Sequence, residues 1–104
     1  MLPIVEGVDR IFDALGDPTR VAIVTMLAGR DRQTLFELCT RLLDAGHPMS
    51  RQAVARHITV LTAAGLVSVT TVGRTSVHRL ETNALVTAQE WLSTLSSTDR
   101  EERS

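Results

Sequence analysis

The most constraining feature of this chain is an abrupt change of pattern at Gly65. The residues before it, 51–64, include neither proline nor glycine, and apolar side chains recur there at the spacing of one helical face. After it, two runs rich in β-branched residues, 66–72 and 75–80, flank a Gly-Arg dipeptide. Such runs around a glycine-containing turn are typical of a β-hairpin. The sequence therefore predicts a helix that is followed at once by a two-stranded hairpin.

The predicted helix has one apolar face and one face suited to DNA. Ser50 is a good N-cap, because its hydroxyl can accept a hydrogen bond from a first-turn amide. Val54, Ile58 and Leu61 form a stripe that must face a core. The other side carries small residues, an amide and guanidinium groups, and glutamine and arginine can bond adenine and guanine in two places each. We expect this helix to contact DNA through Ser50, Arg51, Gln52, Ala53, Arg56, His57 and Thr59.

The hairpin predicts a wing beside that helix. If Gly73 and Arg74 form the loop, Arg74 lies at the tip, where it can reach a phosphate or the minor groove. A slip of one residue would exchange the two faces of the hairpin, so the register stays open at this point. We expect Arg74 and Arg79 to contact DNA. With the two-residue loop, one face carries Val67, Val69, His78 and Leu80, and the other Ser68, Thr70, Val77 and Arg79.

Charge is segregated along the chain in a way that favours nucleic acid. Residues 47–80 contain four arginines and no acidic residue, whereas the rest of the chain has seven basic and twelve acidic residues. Such a patch attracts nucleic acid even though the net charge of the whole chain is only −1. Judged by itself, the helix favours an ordinary amphipathic helix over a DNA-binding one. The hairpin and the charge distribution together favour DNA binding.

No pattern in the chain points to an enzyme. We find no glycine-rich phosphate loop, no paired carboxylates in an apolar setting and no pairing of a nucleophile with a base. The alternative to DNA binding is a winged-helix protein-interaction module, whose arginine patch would dock an acidic partner. Retention on heparin or random duplex DNA as salt is raised would separate the two hypotheses.

Length and composition predict a single domain of the α+β class, mostly α. We assign residues 1–95 to this domain, including terminal dimerisation helices, and residues 96–104 to a flexible polar tail. The single cysteine rules out an intrachain disulfide and fits a reducing cytoplasm. The chain shows no signal peptide and no stretch that is apolar enough to span a membrane. We therefore expect a cytoplasmic protein with no membrane partner.

Three more helices precede the DNA-facing helix in this prediction. The first covers residues 4–15, and the second runs from the Asp17 cap to about residue 28 as an apolar, central helix. A charged connection at residues 30–33 leads to the third helix, at residues 34–45. The third helix and the DNA-facing helix then form a helix-turn-helix, with the second of the pair as the reader.

The last helix, from Thr82 or Asn83 to about residue 95, has a broad apolar side that needs a cover. It either folds back on its own domain or pairs with a second copy of the chain. We favour pairing, with the first helix contributing, because two-fold symmetry suits a pseudo-palindromic site. The expected homodimer surface comprises Val8, Ile11, Phe12, Leu85, Ala88, Trp91, Leu92 and Leu95.

Three segments of the chain resemble the ArsR/SmtB family of bacterial winged helix-turn-helix repressors. They are ALGDPTRVAIVTML (14–27), SRQAVARHITVLTAAGLV (50–67), and GRTSVHRL (73–80) followed by a helix with EWL. The second segment is the most specific of the three. The resemblance implies a dimeric winged helix-turn-helix that occupies an operator and represses transcription, with base contacts from the fourth helix and dimerisation through the first and last helices.

Many members of that family release DNA when they bind a metal, and here the sequence departs from the pattern. The family motif ELCVCDL is replaced by ELCTRLL, so Cys39 matches the first thiolate while Arg41 stands in place of the second. A lone thiol is a poor site for a soft metal, so we expect no metal or cofactor and interpret Cys39 as a small buried residue. The operator, any small-molecule or redox effector, and the choice between repressor and activator stay open.

Overall fold

Helices make up most of the chain, and the computed structural model describes residues 7–103, with side chains described as far as residue 97. The helices are α1 (Val8–Ala14), α2 (Pro18–Gly29), α3 (Leu35–Asp44), α4 (Arg51–Ala63) and α5 (Thr82–Arg103). The strands are β1 (Gln33–Thr34), β2 (Val67–Val72) and β3 (Thr75–Leu80). The predicted α+β winged helix-turn-helix is confirmed.

Side-chain caps explain where α2, α3 and α4 begin. The Asp17 carboxylate accepts a hydrogen bond from an amide in the first turn of α2 at 3.0 Å. At the start of α3, Thr34 and Glu37 form a reciprocal capping box with two bonds of 3.1 Å. Ser50 Oγ accepts from the Ala53 amide at 3.1 Å, as its predicted N-cap role requires. Each cap satisfies an amide that the helix leaves without an internal partner.

The hairpin has the predicted loop and register. β2 and β3 pair antiparallel, with Val67 opposite Leu80 and Thr70 opposite Val77. The Gly-Arg dipeptide forms the loop, and Gly73 has a φ of 63°, a left-handed conformation that glycine adopts easily and that tight hairpin loops require. Both predicted faces of the hairpin are therefore confirmed.

The sheet contains a third strand, which was not predicted from the sequence. β1 pairs with β3, with Gln33 opposite His78, and the strand order is β1-β3-β2. Gln33 is fully buried, and its Nε2 donates to the carbonyls of Met26 and Arg30 at 2.9 and 2.7 Å. The prediction that residues 30–33 form only a charged connection was wrong, because two paired residues leave no alternating pattern and their partners lie far along the chain.

One hydrophobic cluster joins the five helices to the sheet. It consists of Ile11, Ala14, Ile23, Leu27, Leu38, Leu42, Val54, Ile58, Leu61, Leu66, Val67, Ala84 and Ala88. The predicted core stripe of α4 is buried in full, and His78 is buried on the core side of the wing. α2 was predicted to be an apolar, central helix, and it is buried along one face only, since Val21 and Ala28 are exposed.

α5 packs against α1 of its own chain. The rings of Phe12 and Trp91 lie 5.5 Å apart, and Ile11 and Ala88 are buried in the protomer's own core. Of the two arrangements considered for the last helix, folding back is therefore present within the protomer. Ile11 and Ala88, two of the residues predicted for the dimer surface, are buried within the protomer and are not available to contact a second copy directly.

Two helix boundaries differ from the prediction. The first helix begins at Val8, and residues 4–6 of the predicted helix lie outside the described residues. The last helix continues to Arg103, eight residues beyond the predicted end at Leu95. The flexibility of residues 96–104 stays a prediction. Within the described range, no helix has the length and apolar character needed to cross a membrane.

Candidate nucleic-acid interface

The outward face of α4 presents most of the predicted contact residues to solvent. Arg51, Gln52, Arg56 and Thr59 are exposed because the opposite stripe of α4 is fixed in the core. Ala53 is half-buried and adds little bulk beside them. Ser50 accepts from the helix through its hydroxyl oxygen and keeps its own O–H for an outside acceptor.

Three guanidinium groups near this face have no partner within the protein. Arg51, Arg56 and Arg74 make neither an ion pair nor a side-chain hydrogen bond with any residue that the structure describes. Arginine carries five donors, and an exposed one is free to bind a phosphate or the edge of a guanine. These three side chains supply most of the positive charge of the candidate interface.

The fold brings the start of α4 and the tip of the wing to one cleft. Arg51 and Arg74 line its two sides, and its volume is about 470 Å³. We call it the wing cleft, and its lining comprises Thr34, Leu35, Phe36, Arg51, Arg74, Thr75 and Ser76. No carboxylate lines the wing cleft, so the charged groups of its lining are the two arginines. An anionic chain such as a DNA backbone suits a cleft of this charge.

His57 is directed toward α2 as well as toward the edge of the interface. Its Nδ1 lies 3.2 Å from Nη1 of Arg20, which must be the donor because arginine has no acceptor. The same Nδ1 lies 3.8 Å from Oδ2 of Asp17. Arg20 is itself fixed by a 2.6 Å hydrogen bond from Nε to the carbonyl of Ala14. These contacts position α4 against α2, so His57 has a structural role beside its predicted DNA contact.

Arg79 lies apart from the other predicted contacts. Its Nε is 3.6 Å from Oδ2 of Asp31, an exposed pair at the base of the wing. Along β3 it is five residues from Arg74, or roughly 16 Å at the rise of an extended strand. The structure therefore groups Arg74 with α4 and does not bring Arg79 to the same place.

Comparison with known proteins decides the family. A model of a helix-turn-helix domain family matches residues 15–70. An ArsR-like transcriptional regulator from Rhodococcus sp. RHA1 is 37% identical and superposes with a TM-score of 0.80, over 93% of this chain and 84% of that one. The chain belongs to the ArsR family of helix-turn-helix transcriptional regulators.

Two further proteins are similar to this chain, one in sequence and one in fold. A segment of 61 residues is 48% identical to the uncharacterised HTH-type transcriptional regulator YuzN of Bacillus subtilis (strain 168). The match covers 58% of this chain and 66% of YuzN, just under two thirds of its length. A homodimeric winged helix-turn-helix DNA-binding domain from Mycobacterium bovis has the same fold, with 20% identity and a TM-score of 0.67 over 95% of this chain and 85% of that one.

The ArsR family motif on α3 lies close to the core in this chain. Cys39 is half-buried and packs against the hydrophobic cluster, so it is less enclosed than predicted. In the described part of the chain, no three His, Cys, Asp or Glu side chains are grouped closely enough to hold a metal ion. The Glu37 carboxylate is committed to the cap of α3, and the Thr34 amide holds the pKa of that carboxyl below its ordinary value.

Two features of the interface were not predicted from the sequence. The contact between Arg20 and His57 joins residues 37 positions apart, and no local pattern reveals it. Phe36 lines the wing cleft and is 69% exposed. The exposure of Phe36 could have been predicted, because this aromatic residue lies outside the apolar stripe of its own helix.

Proposed function

We propose that this ArsR family chain is a homodimeric, sequence-specific repressor that binds a pseudo-palindromic operator. The observation that carries the proposal is the set of three unpaired arginines on α4 and the wing tip, in a segment without acidic residues. Exposed guanidinium groups that have no counter-charge in the protein are free to bind phosphates, and together they attract a polyanion.

In the proposed complex, α4 enters the major groove and the wing tip reaches the neighbouring backbone or minor groove. Gln52 and Arg56 read base edges, because both are exposed on the outer face of α4 and both can form paired hydrogen bonds with a base. Ser50, Arg51 and Arg74 contact phosphates, which fixes the register of the helix on the duplex. Ala53, His57 and Thr59 lie at the edge of this contact set, and Arg79 reaches DNA only if it leaves Asp31.

The homodimer is supported by an uncovered apolar surface on α1 and α5. Phe12, Val86 and Leu92 are 36%, 48% and 48% exposed although each is large and apolar. Val8, Leu85, Trp91 and Leu95 lie half-buried on the same two helices. Covering this surface with a second copy removes apolar area from water, and the Mycobacterium bovis relative of the same fold is a homodimer.

Repression requires no more than occupancy. A dimer whose two α4 helices lie in successive major grooves excludes another protein from the same DNA. We further propose that the chain acts in the cytoplasm without catalysis, and that its release does not use the family's thiolate metal site, since Arg41 replaces the second thiol.

Selection of bound duplexes from a random pool tests the proposal. We expect enrichment of an inverted repeat whose half-sites lie about 34–36 Å apart, one turn of DNA. The selection is then repeated with Zn²⁺, with a thiol oxidant and with candidate small molecules, and loss of binding with one addition identifies the signal. Recovery of no preferred sequence, together with weak retention on random duplex at low salt, would contradict DNA binding.

A further inference from the structure

Phe36 is the most exposed large apolar side chain in the described part of the chain. It is 69% exposed, in the first turn of α3. Four other apolar residues of that helix, Leu35, Leu38, Cys39 and Leu42, lie in or against the core, and Leu43 near its end is exposed. An aromatic ring left in water does not gain the free energy that burial would provide, so a partner that covers the ring would be bound more tightly.

The surroundings of Phe36 define the chemistry of that partner. The ring lies in the wing cleft with the unpaired Arg51 and Arg74, beside the hydroxyls of Thr75 and Ser76. The cleft therefore combines one apolar surface with cations and hydroxyl groups, and it has no carboxylate. A ligand that fits all of these carries separated negative charges with an apolar part between them. The sugar-phosphate backbone of DNA has this alternation, because each deoxyribose lies between two phosphates.

The position of the wing cleft agrees with this chemistry. On one side is the N-terminus of α4, which the proposed function places in the major groove, and on the other is the wing tip with Arg74. One DNA strand separates a major groove from the adjacent minor groove. Its backbone must pass between α4 and the wing tip, and the wing cleft is the space between them.

We propose that the wing cleft holds the backbone of one DNA strand, with the ring of Phe36 packed against a deoxyribose and Arg51 and Arg74 bound to the flanking phosphates. This inference rests on the proposed DNA-binding function and adds an apolar contact to it. Since every nucleotide carries the same sugar, Phe36 strengthens binding to all sequences equally. Because the contact displaces no counterion, it leaves the salt dependence of binding unchanged.

The test compares Phe36→Ala with Arg74→Ala on two duplexes, the preferred one and a random one, over a series of salt concentrations. Phe36→Ala should weaken binding to both by the same factor, about tenfold, with an unchanged slope of log K against log salt. Arg74→Ala should also weaken both but should lower the magnitude of that slope by about 1, because one phosphate contact is lost.

Leu43 offers a matched control on the same helix. It is 62% exposed, close to the exposure of Phe36, and it lies outside the wing cleft. Leu43→Ala should bind both duplexes as the unchanged protein does. Phe36→Leu, which keeps an apolar side chain in the cleft, should recover part of the lost affinity. Thermal unfolding of each variant shows whether a loss of binding reflects a loss of folding.

The outcomes separate the two proposals. If the unchanged protein binds duplex DNA tightly and Phe36→Ala does too, the role of Phe36 is wrong and the DNA-binding function stands. A loss confined to the preferred duplex would also overturn it, because the ring would then read a base. If the unchanged protein ignores every duplex and binds an acidic peptide such as polyglutamate instead, the DNA-binding function itself fails.

Discussion

At the scale of single residues, Arg56 is the side chain whose replacement should most affect sequence preference. It is exposed on α4 and has no partner among the described residues. Arg56→Ala should weaken binding to the preferred duplex by about 1–3 kcal/mol and relax the preference at one base pair. Fluorescence anisotropy with the preferred duplex and its single-base variants measures both effects.

A charge-matched control accompanies this variant. Arg41→Ala removes the same charge from α3, where the side chain is half-buried and outside the wing cleft. It should leave base preference as it is. An equal loss on preferred and random duplexes for Arg56→Ala would show that Arg56 contacts a phosphate and reads no base.

Asp17 predicts how stability depends on pH. The hydrogen bond from the Arg20 amide is the main reason why the pKa of Asp17 lies below its ordinary value of 3.8; burial opposes this effect, and the electrostatic interactions with His57 and Arg20 add to it. A folded-state pKa below the unfolded value means that the carboxylate stabilises the fold above pH 3.8 and loses this effect as the pH falls through the folded value. Asp17→Ala should lower the free energy of unfolding by about 1 kcal/mol at neutral pH, with the loss of the helix cap.

Urea unfolding at a series of pH values measures this difference. The gap between Asp17→Ala and the unchanged protein should narrow on acidification, because protonation weakens the same interactions in the unchanged protein. Asp44→Ala, an exposed carboxylate at the end of α3, should show no such gap. A gap that widens toward low pH would contradict the role assigned to Asp17.

At the scale of the elements, local patterns predicted those parts of the fold that local forces determine. The caps at Asp17 and Ser50 and the Gly-Arg loop each depend on neighbours within a few residues, and all three are confirmed. β1 could not be predicted in this way, because Gln33 pairs with His78, 45 positions along the chain. The exposed residues of the candidate interface followed from helical periodicity, whereas the convergence of Arg51 and Arg74 on one cleft required the tertiary structure.

The contribution of β1 to stability can be tested at Gln33. Its buried amide donates to two carbonyls, Met26 in the last turn of α2 and Arg30 just after it, while Oε1 is buried without a partner. Gln33→Leu keeps most of the volume but leaves both carbonyls without this donor. It should lower the free energy of unfolding by about 1–3 kcal/mol, partly offset by removal of the unpaired Oε1.

Urea unfolding also provides the measurement here, with Gln89→Leu as the control. Gln89 is exposed on α5, and its replacement should leave stability nearly unchanged. If Gln33→Leu were as stable as the unchanged protein, the two hydrogen bonds would contribute nothing net and the tie between α2 and β1 would rest on packing alone.

At the scale of the whole molecule, the amphipathic pattern of the last helix showed that α5 needs a cover but did not show which one. In the structure, only part of the apolar side of α5 is covered within the protomer. Ala84 and Ala88 are buried in the core, whereas Val86 and Leu92 are exposed. Periodicity identifies an apolar side, but it does not distinguish the part that a neighbouring helix covers from the part left for a second copy. For this reason the sequence predicts Ile11 and Ala88 on the dimer surface, although both are buried within the protomer.

Leu92→Glu tests the homodimer. A carboxylate at this position places charge inside the proposed interface, where it finds no partner and must be desolvated. The variant should sediment as a chain of 11.4 kDa, while the unchanged protein sediments at twice that mass. Its affinity for a full inverted repeat should fall at least tenfold, whereas its affinity for a single half-site should stay the same.

The control for this variant is Leu43→Glu, which places the same charge on an exposed apolar position of α3. It should remain dimeric in analytical ultracentrifugation. The proposed interface would be wrong if the unchanged protein sedimented as a single chain at micromolar concentration, or if Leu92→Glu remained a dimer.

The continuity between β1 and α3 has a consequence for how this molecule accommodates different DNA sequences. Thr34 ends β1 and also caps α3, and β1 is paired with β3 of the wing. α3 is thereby joined to the wing, and α3 also packs against the reading helix α4, so the helix pair and the wing form one unit with a preset opening. A duplex whose groove width does not match that opening has to bend or twist to enter, at an energy that depends on its base steps. We therefore expect such a protein to rank operators by their flexibility at positions that no side chain touches.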